Sequence, residues 1–432
     1  MEYTGTDITA DVSLVWETVI KSFPTMAEAY LAANHAVHWT SAVNGMDVPF
    51  MTNWEGLRDQ VEYIFADAAN NLHDTAVAIL ESLDELTTRD DETREAVNAA
   101  AADLPGTIPE LGETTIPLSG RYYGGDYASP TPPDFDYDGD APTIEALKEK
   151  AATVEDRLWQ AAVAEMPWFD GLVMGWYDRE DLMDTADGDA VREASGGIVS
   201  KVEECTKYDP ADFEPAVAAL ESIGGNGIRL FNSFGTEIDN AKDGLHPDNW
   251  DSAAADTFRS NFLNAYPDIA ETHVMLVGTL SGAMDGYRTA VEDTHRTLDQ
   301  IMDAAILSCD SIIGGQSAKA EAMATNVLSA AIAVAGTVYT GGGSTAIGFA
   351  LGGSGVSVAS SAFLGGGSTV DEVKANVLDS MQIAHDALDA LGVELRDTLG
   401  EDYTTVLNGR HKPELRIDLP RPAFTIMGAE GF

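Results

Sequence analysis

The sequence predicts a mainly α-helical protein of helical hairpins and a long-helix bundle, with a Gly-rich apolar hairpin near the C-terminus. Three observations predict it. Apolar residues recur at the 3.6-residue period of a buried helix face in several long runs. Clusters of Pro and Gly separate those runs. Residues 322–370 carry no charged side chain in a chain whose formal net charge is −48.

The first run, residues 9–37, puts Val12, Val15, Val19, Met26, Ala29, Ala33 and Val37 on one face, with a weak point at Pro24. A Gly- and Pro-bearing loop over 44–53 follows, and Trp54-Glu55-Gly56 introduces a second helix. Its face is marked by Leu57, Val61, Ile64, Ala68, Leu72, Ala76, Ile79, Leu83 and Leu86. Residues 1–104 are therefore expected to fold back as an antiparallel helical hairpin. Trp54 would cap the end of its seam and Gly56 would permit a tight backbone there.

Residues 105–142, rich in Pro, Gly, Tyr and Asp, read as a linker or surface loop. Residues 143–400 read as a helical bundle. It begins with a helix near residue 144, followed by an aromatic cluster of Trp159, Trp168, Phe169, Trp176 and Tyr177 around Pro167, expected to pack between helices. A helical region from about residue 212 leads to Trp250 and Ser252, then to Phe258, Phe262, Leu276, Leu280, Tyr287, Val291, Leu298 and Ile301 at helical spacing, with an interruption expected at Pro267. The last helix carries Val373, Val377, Met381, Ala384, Leu388, Leu391 and Leu395, and 401–432 reads as an extended tail with Pro413, Pro420 and Pro422.

The uncharged stretch reads as two apolar limbs joined by Gly341, Gly342, Gly343 and Ser344. Small residues within the second limb allow close backbone approach. Phe349, Leu351, Phe363 and Leu364 are expected either to be buried against neighbouring helices or to enter a membrane, each limb approaching the ~20 residues that span a bilayer. A Gly/Ser-rich flexible segment is the remaining reading.

A helix, a Trp-x-Gly turn and a helix within about a hundred residues resemble the WXG family of small helical hairpins exported by the type VII secretion pathway. The motif here is Trp54 and Gly56. Trp250 and Ser252, followed by Ala253, Ala254 and Phe258, resemble a second and looser copy, with Ser where the family has Gly. The resemblance implies a larger, tandem-like member: a secreted or cell-surface, non-enzymatic protein acting by assembly or membrane contact. Its implied partners are the secretion machinery or another helical protein, with homo-oligomerisation open. It also implies a Tyr-x-x-x-Asp/Glu export signal, for which Tyr3/Asp7, Tyr63/Asp67, Tyr122/Asp126, Tyr177/Asp181 and Tyr208/Asp212 all fit, so spacing selects none. Two other readings stay open: an α-helical pore-forming toxin component, and an acidic structural protein of a halophile or phage.

With 72 acidic against 24 basic residues the chain repels nucleic acid and anionic lipid. Apolar residues at 44% still suffice for a core. The first residues lack the basic start and apolar centre of a cleavable secretory signal. Asp134, Asp136, Asp138 and Asp140, with Gly139 for the sharp turn and Glu145 in the twelfth place, match the spacing of a calcium loop; an acidic loop capping the next helix at Thr143 is the plainer reading. His35 and His38 lie one helical turn apart, a metal pair without a third ligand placed by the sequence. Cys205 and Cys309 are too far apart for a CxxC motif and are either reduced core residues or a disulfide. No GxSxG, P-loop or HExxH sequence is present, and no enzyme is expected.

Overall fold

Residues 12–39 favour a helix because their apolar side chains repeat every three or four positions, and a helix places such residues on one face. In the computed structural model this becomes α1, Val12–Trp39, which runs unbroken through Pro24. Proline removes one backbone hydrogen bond. The helix survives because Phe23, Met26 and Ala27 around it are fully buried. The structure describes residues 9–10, 12–87, 139–165, 191, 195–224, 230–251, 253–314, 334–336, 356–358, 369–410 and 418.

A 3-10 turn, Thr40–Val43, leads from α1 into a short loop, and α2 spans Met51–Thr87. The two helices lie side by side, as the hairpin reading requires. The helix starts three residues before Trp54, so the expected loop over 44–53 closes earlier, at residue 50. Then come α3 (Ile144–Glu165), α4 (Ile198–Cys205), a 3-10 turn (Pro210–Asp212), α5 (Glu214–Gly224) and α6 (Leu230–Gly244). The chain continues through α7 (Ala253–Phe258) and a π-helical turn (Arg259–Leu263) into α8, Tyr266–Ile313. Pro267 lies in the first turn of α8, where its missing N–H is harmless. The interruption expected there is this junction. The last helix, α9, spans Val370–Gly409, so residues 401–409, read from the sequence as tail, are helical.

Strands are minor among the described residues. β1 (Thr9–Ala10) pairs antiparallel with β2 (Trp250–Asp251), with Ala10 opposite Trp250. β3 (Val334–Gly336) pairs antiparallel with β4 (Val356–Val358), with Val334 opposite Val358. Each limb of the uncharged stretch supplies one of these last two strands, and β3 runs beside α8. Phe349, Leu351, Phe363 and Leu364 lie outside the described residues.

Two cores result. The first gathers α1, α2, α5, α6, α7, the N-terminal half of α8 and the C-terminal half of α9. The second gathers α3, α4, the C-terminal half of α8 and the N-terminal half of α9. Thus α8 and α9 run in opposite directions through both. Val373, Val377, Met381, Ala384, Leu388, Leu391 and Leu395 are all buried, as the period of the last helix predicts.

Carboxylates of α3 secure the second core. Gly197 precedes α4 at φ 102°, in the left-handed region that glycine tolerates, and offers no capping side chain. Glu155 supplies that cap, accepting from the amides of Ile198 and Val199 at 2.8 and 3.1 Å. Glu165 likewise accepts from the Val370 amide at 3.3 Å, beside the Thr369 hydroxyl cap of α9. Lys150 ties α3 to α8 through Asp299 and Asp303 at 2.6 and 2.7 Å. Cys205 and Cys309 are both free and buried in this core, their thiols pushed up by burial to about 11 and about 12.

Candidate functional site

The Trp-x-Gly residues stand where α1, α2, α8 and α9 converge. Trp54 has no exposed surface. An indole N–H buried in apolar surroundings needs an acceptor. The Leu280 carbonyl of α8 accepts it at 3.0 Å. The Arg58 guanidinium lies 5.8 Å from the indole centroid and bonds the Asn44 side chain, fastening the loop to the first turns of α2. Beside Trp54 lies a run of aromatic contacts: Phe50 meets Tyr287 edge-on at 5.1 Å, and Tyr287 meets Phe213 and Tyr208 at 5.6 and 6.0 Å.

Gly56 acts differently from the expected tight turn. It lies inside α2, and only Gly45 and Gly197 among the described glycines have positive φ. A Cβ at Gly56 would come within 3.3 Å of the Tyr403 ring of α9. The missing side chain admits a neighbouring helix. Gly392 and Gly400 of α9 repeat the device: a Cβ would meet Pro49 at 2.8 Å and Asn53 at 2.8 Å respectively. Asn53 also donates to the Arg396 carbonyl at 2.7 Å. Helix α9 therefore seats closely against the turn at its two glycines, while its Tyr403 ring fills the space left at Gly56.

The second Trp region lies at the other end of α1. β2, which includes Trp250, pairs with the two residues just before α1, whereas Trp54 follows its C-terminal end. Helix α1 neighbours both α2 and α6, and the two Trp positions bracket its length. The expected helix–helix turn at Trp250 is a connection with a strand pair in it. Ser252 lies outside the described residues. A close approach marks this end too, since a Cβ on Gly244 would fall 1.9 Å from the Thr18 hydroxyl.

Between these ends lies a buried polar pair that periodicity did not reveal. The Tyr30 hydroxyl and His273 Nδ1 are hydrogen-bonded at 2.8 Å, both fully buried, with Phe65 edge-on to His273 at 5.8 Å. Burial pushes the phenols of Tyr30, Tyr266 and Tyr287 upward, so all three stay neutral. A His and a Tyr on the apolar faces of two helices are the only sequence signal for the pair, and they do not announce that they meet.

Among the described residues the remaining candidates stand apart from one another. Asp140 pairs with Arg296 of α8, which holds its carboxyl below the usual range, and Glu145 sits in the first turn of α3. Thr143 caps that helix, accepting from the Ala146 amide at 3.2 Å. Asp134, Asp136 and Asp138 lie outside the described residues. His38 meets Glu62 at 3.2 Å, while burial and then His38 lower the proton affinity of His35. Among the described residues no three metal-ligating side chains converge. Trp159 is buried, and its expected aromatic partners lie outside the described residues. Of the Tyr-x-x-x-Asp pairs, Tyr63 is half exposed on α2 beneath Arg410 at 4.0 Å, and Tyr208 donates to the Asp47 carbonyl. Among the described residues no helix is long and apolar enough to cross a membrane. No family model matches the chain, and no curated protein or solved structure matches it.

Proposed function

We propose that this chain is a non-enzymatic helical protein of the type VII secretion pathway, acting outside the cytoplasm by assembly or membrane contact. One observation carries the reading: the α1–α2 hairpin closes on a fully buried Trp54 whose indole bonds the backbone of α8. A catalytic Trp-turn would need reactive groups open to substrate. Here its polar groups hold helices together, which suits a scaffold presented through its outer faces. The inner face of the first hairpin is covered by α6, α8 and α9 of the same chain. A partner, whether secretion machinery, a helical protein or a second copy, would then meet acidic outer surfaces, and basic complementarity would recognise it. Fractionation of the native host culture tests the proposal. The intact chain is expected in the medium or cell-surface fraction, lost when the secretion ATPase gene is deleted. Retention in the cytoplasm, or export unchanged by that deletion, would overturn it.

A further inference from the structure

The loop that leads into the Trp54 turn holds an asparagine followed by a glycine, a pair with chemistry of its own that the scaffold reading leaves unused. The main-chain nitrogen after an asparagine can attack the side-chain amide carbon, and glycine, having no Cβ, obstructs that attack least. Asn-Gly occurs at 44–45, 226–227 and 408–409, and the second of these lies outside the described residues. The fold treats the other two differently. Asn408 and Gly409 belong to the last turn of α9, where Gly409 is buried and the helix commits its N–H to a carbonyl four residues back. Asn44 and Gly45 are exposed in the loop, Gly45 at φ 78° with nothing within 4 Å of where a Cβ would stand.

Two side chains from the first turns of α2 reach the reacting groups. Glu55 accepts the Gly45 N–H at 3.1 Å, within the range of a general base for the proton that the attacking nitrogen must lose. The Arg58 guanidinium donates to Asn44 Oδ1, the oxygen on which negative charge develops when the amide carbon is attacked. Nucleophile and electrophile thus each carry the partner that the reaction needs. The extended backbone of Asn44, with ψ 138°, holds the Gly45 nitrogen off Cγ, so closure must turn that peptide about the Asn44 Cα–C bond. The open space beside Gly45 leaves room for the turn.

We propose that Asn44 is a self-modification site, deamidated through a cyclic imide with Glu55 as base and Arg58 as oxyanion donor. The Gly45 nitrogen bonds to Asn44 Cγ and gives its proton to Glu55. The Cγ–Nδ2 bond breaks, and Nδ2 takes up a proton and leaves as ammonia. Water then opens the imide at either carbonyl, leaving aspartate or, with the main chain routed through the side chain, isoaspartate. No oxidation or reduction is involved. Aspartate gives Arg58 a charged acceptor in place of a neutral one. Isoaspartate lengthens the main chain by a methylene between the Thr40–Val43 turn and α2. Either product alters the loop that Asp47 ties to Lys207 and Tyr208.

Peptide mapping by mass, with isoaspartate detection, tests this on the full chain incubated near neutral pH. Asn44 is expected to convert several-fold faster than Asn408, and Glu55→Gln to slow Asn44 several-fold while leaving Asn408 unchanged. Equal rates at the two sites, or an Asn44 rate unmoved by Glu55→Gln, would overturn the proposal. Should Glu55→Gln fail to fold, wild type incubated in urea takes its place. An Asn44 rate that falls on unfolding supports assistance by Glu55 and Arg58, and one that stays level or rises overturns it.

Discussion

The two cores share α8 and α9 and are held by opposite means. Around the Trp turn the largest fully buried side chains are rings: Trp54, Tyr30, Tyr266, Tyr287, Phe23, Phe50, Phe65, Phe213 and Phe262. Around α3 the core is aliphatic, built from Leu147, Val154, Leu158, Ile198, Val202, Leu298, Ile301, Val373 and Val377 with two thiols and two methionines. Rings have defined shapes, and their polar atoms need particular partners, so the first core specifies which helix meets which. Aliphatic chains repack more freely, so register there is set at helix ends by Glu155, Glu165 and Lys150. One region is fixed from within and the other from its rim.

The largest expected effect tests the inner fixing. Trp54→Ala should cost about 3–5 kcal/mol, since it leaves a cavity and removes the indole hydrogen bond to the Leu280 carbonyl. Trp54→Phe, which keeps most of the volume, should cost clearly less. Paired thermal melts measure both, and an unchanged midpoint in Trp54→Ala would remove the contrast between the cores. Next comes the close seating of α9. Gly392→Ala meets Pro49 and should cost about 1–3 kcal/mol. Gly286→Ala, with nothing near its new Cβ, should gain up to about 1 kcal/mol from helix propensity. Urea unfolding should give shifts of opposite sign; equal shifts would mean that α9 does not depend on its missing side chains.

The rim comes third. Glu155→Gln keeps the shape but loses the charge at the start of α4, and should cost about 1 kcal/mol. Faster amide exchange should be confined to residues 198–205, and a global loss of protection would contradict a local cap. Smallest of all, Lys207→Ala removes an exposed pair with Asp47 and should cost less than about 1 kcal/mol, vanishing in molar salt. A larger, salt-insensitive loss would place that loop in the inner group.

Much of the helical scaffold is legible in the sequence. Leu57, Val61, Ile64, Ala68, Leu72, Ala76 and Ile79 are all buried, as are Leu276, Leu280, Tyr287, Val291, Leu298 and Ile301, because a helix converts sequence period directly into a face. The candidate site was half legible. Trp54 stood out by type and position, but the reason for Gly56 did not, since the partner that requires it, Tyr403, lies 347 positions along the chain, counting from 56 to 403. Tyr30 and His273 escaped for the same reason: each is an unremarked residue on its own helix, and only their 2.8 Å separation makes a pair.

What the sequence determined by itself is therefore local: which stretches are helical, which face of each is apolar, where Pro and Gly interrupt them, and that the surface is acidic. These depend on neighbours within a few residues, whose chemistry is fully written in order along the chain. The tertiary structure alone decided that α8 and α9 would thread two cores, that an α3 carboxylate would cap α4, and that Asp140 would meet Arg296. Those depend on contacts between distant residues, and a period in the sequence marks a buried face without naming what buries it.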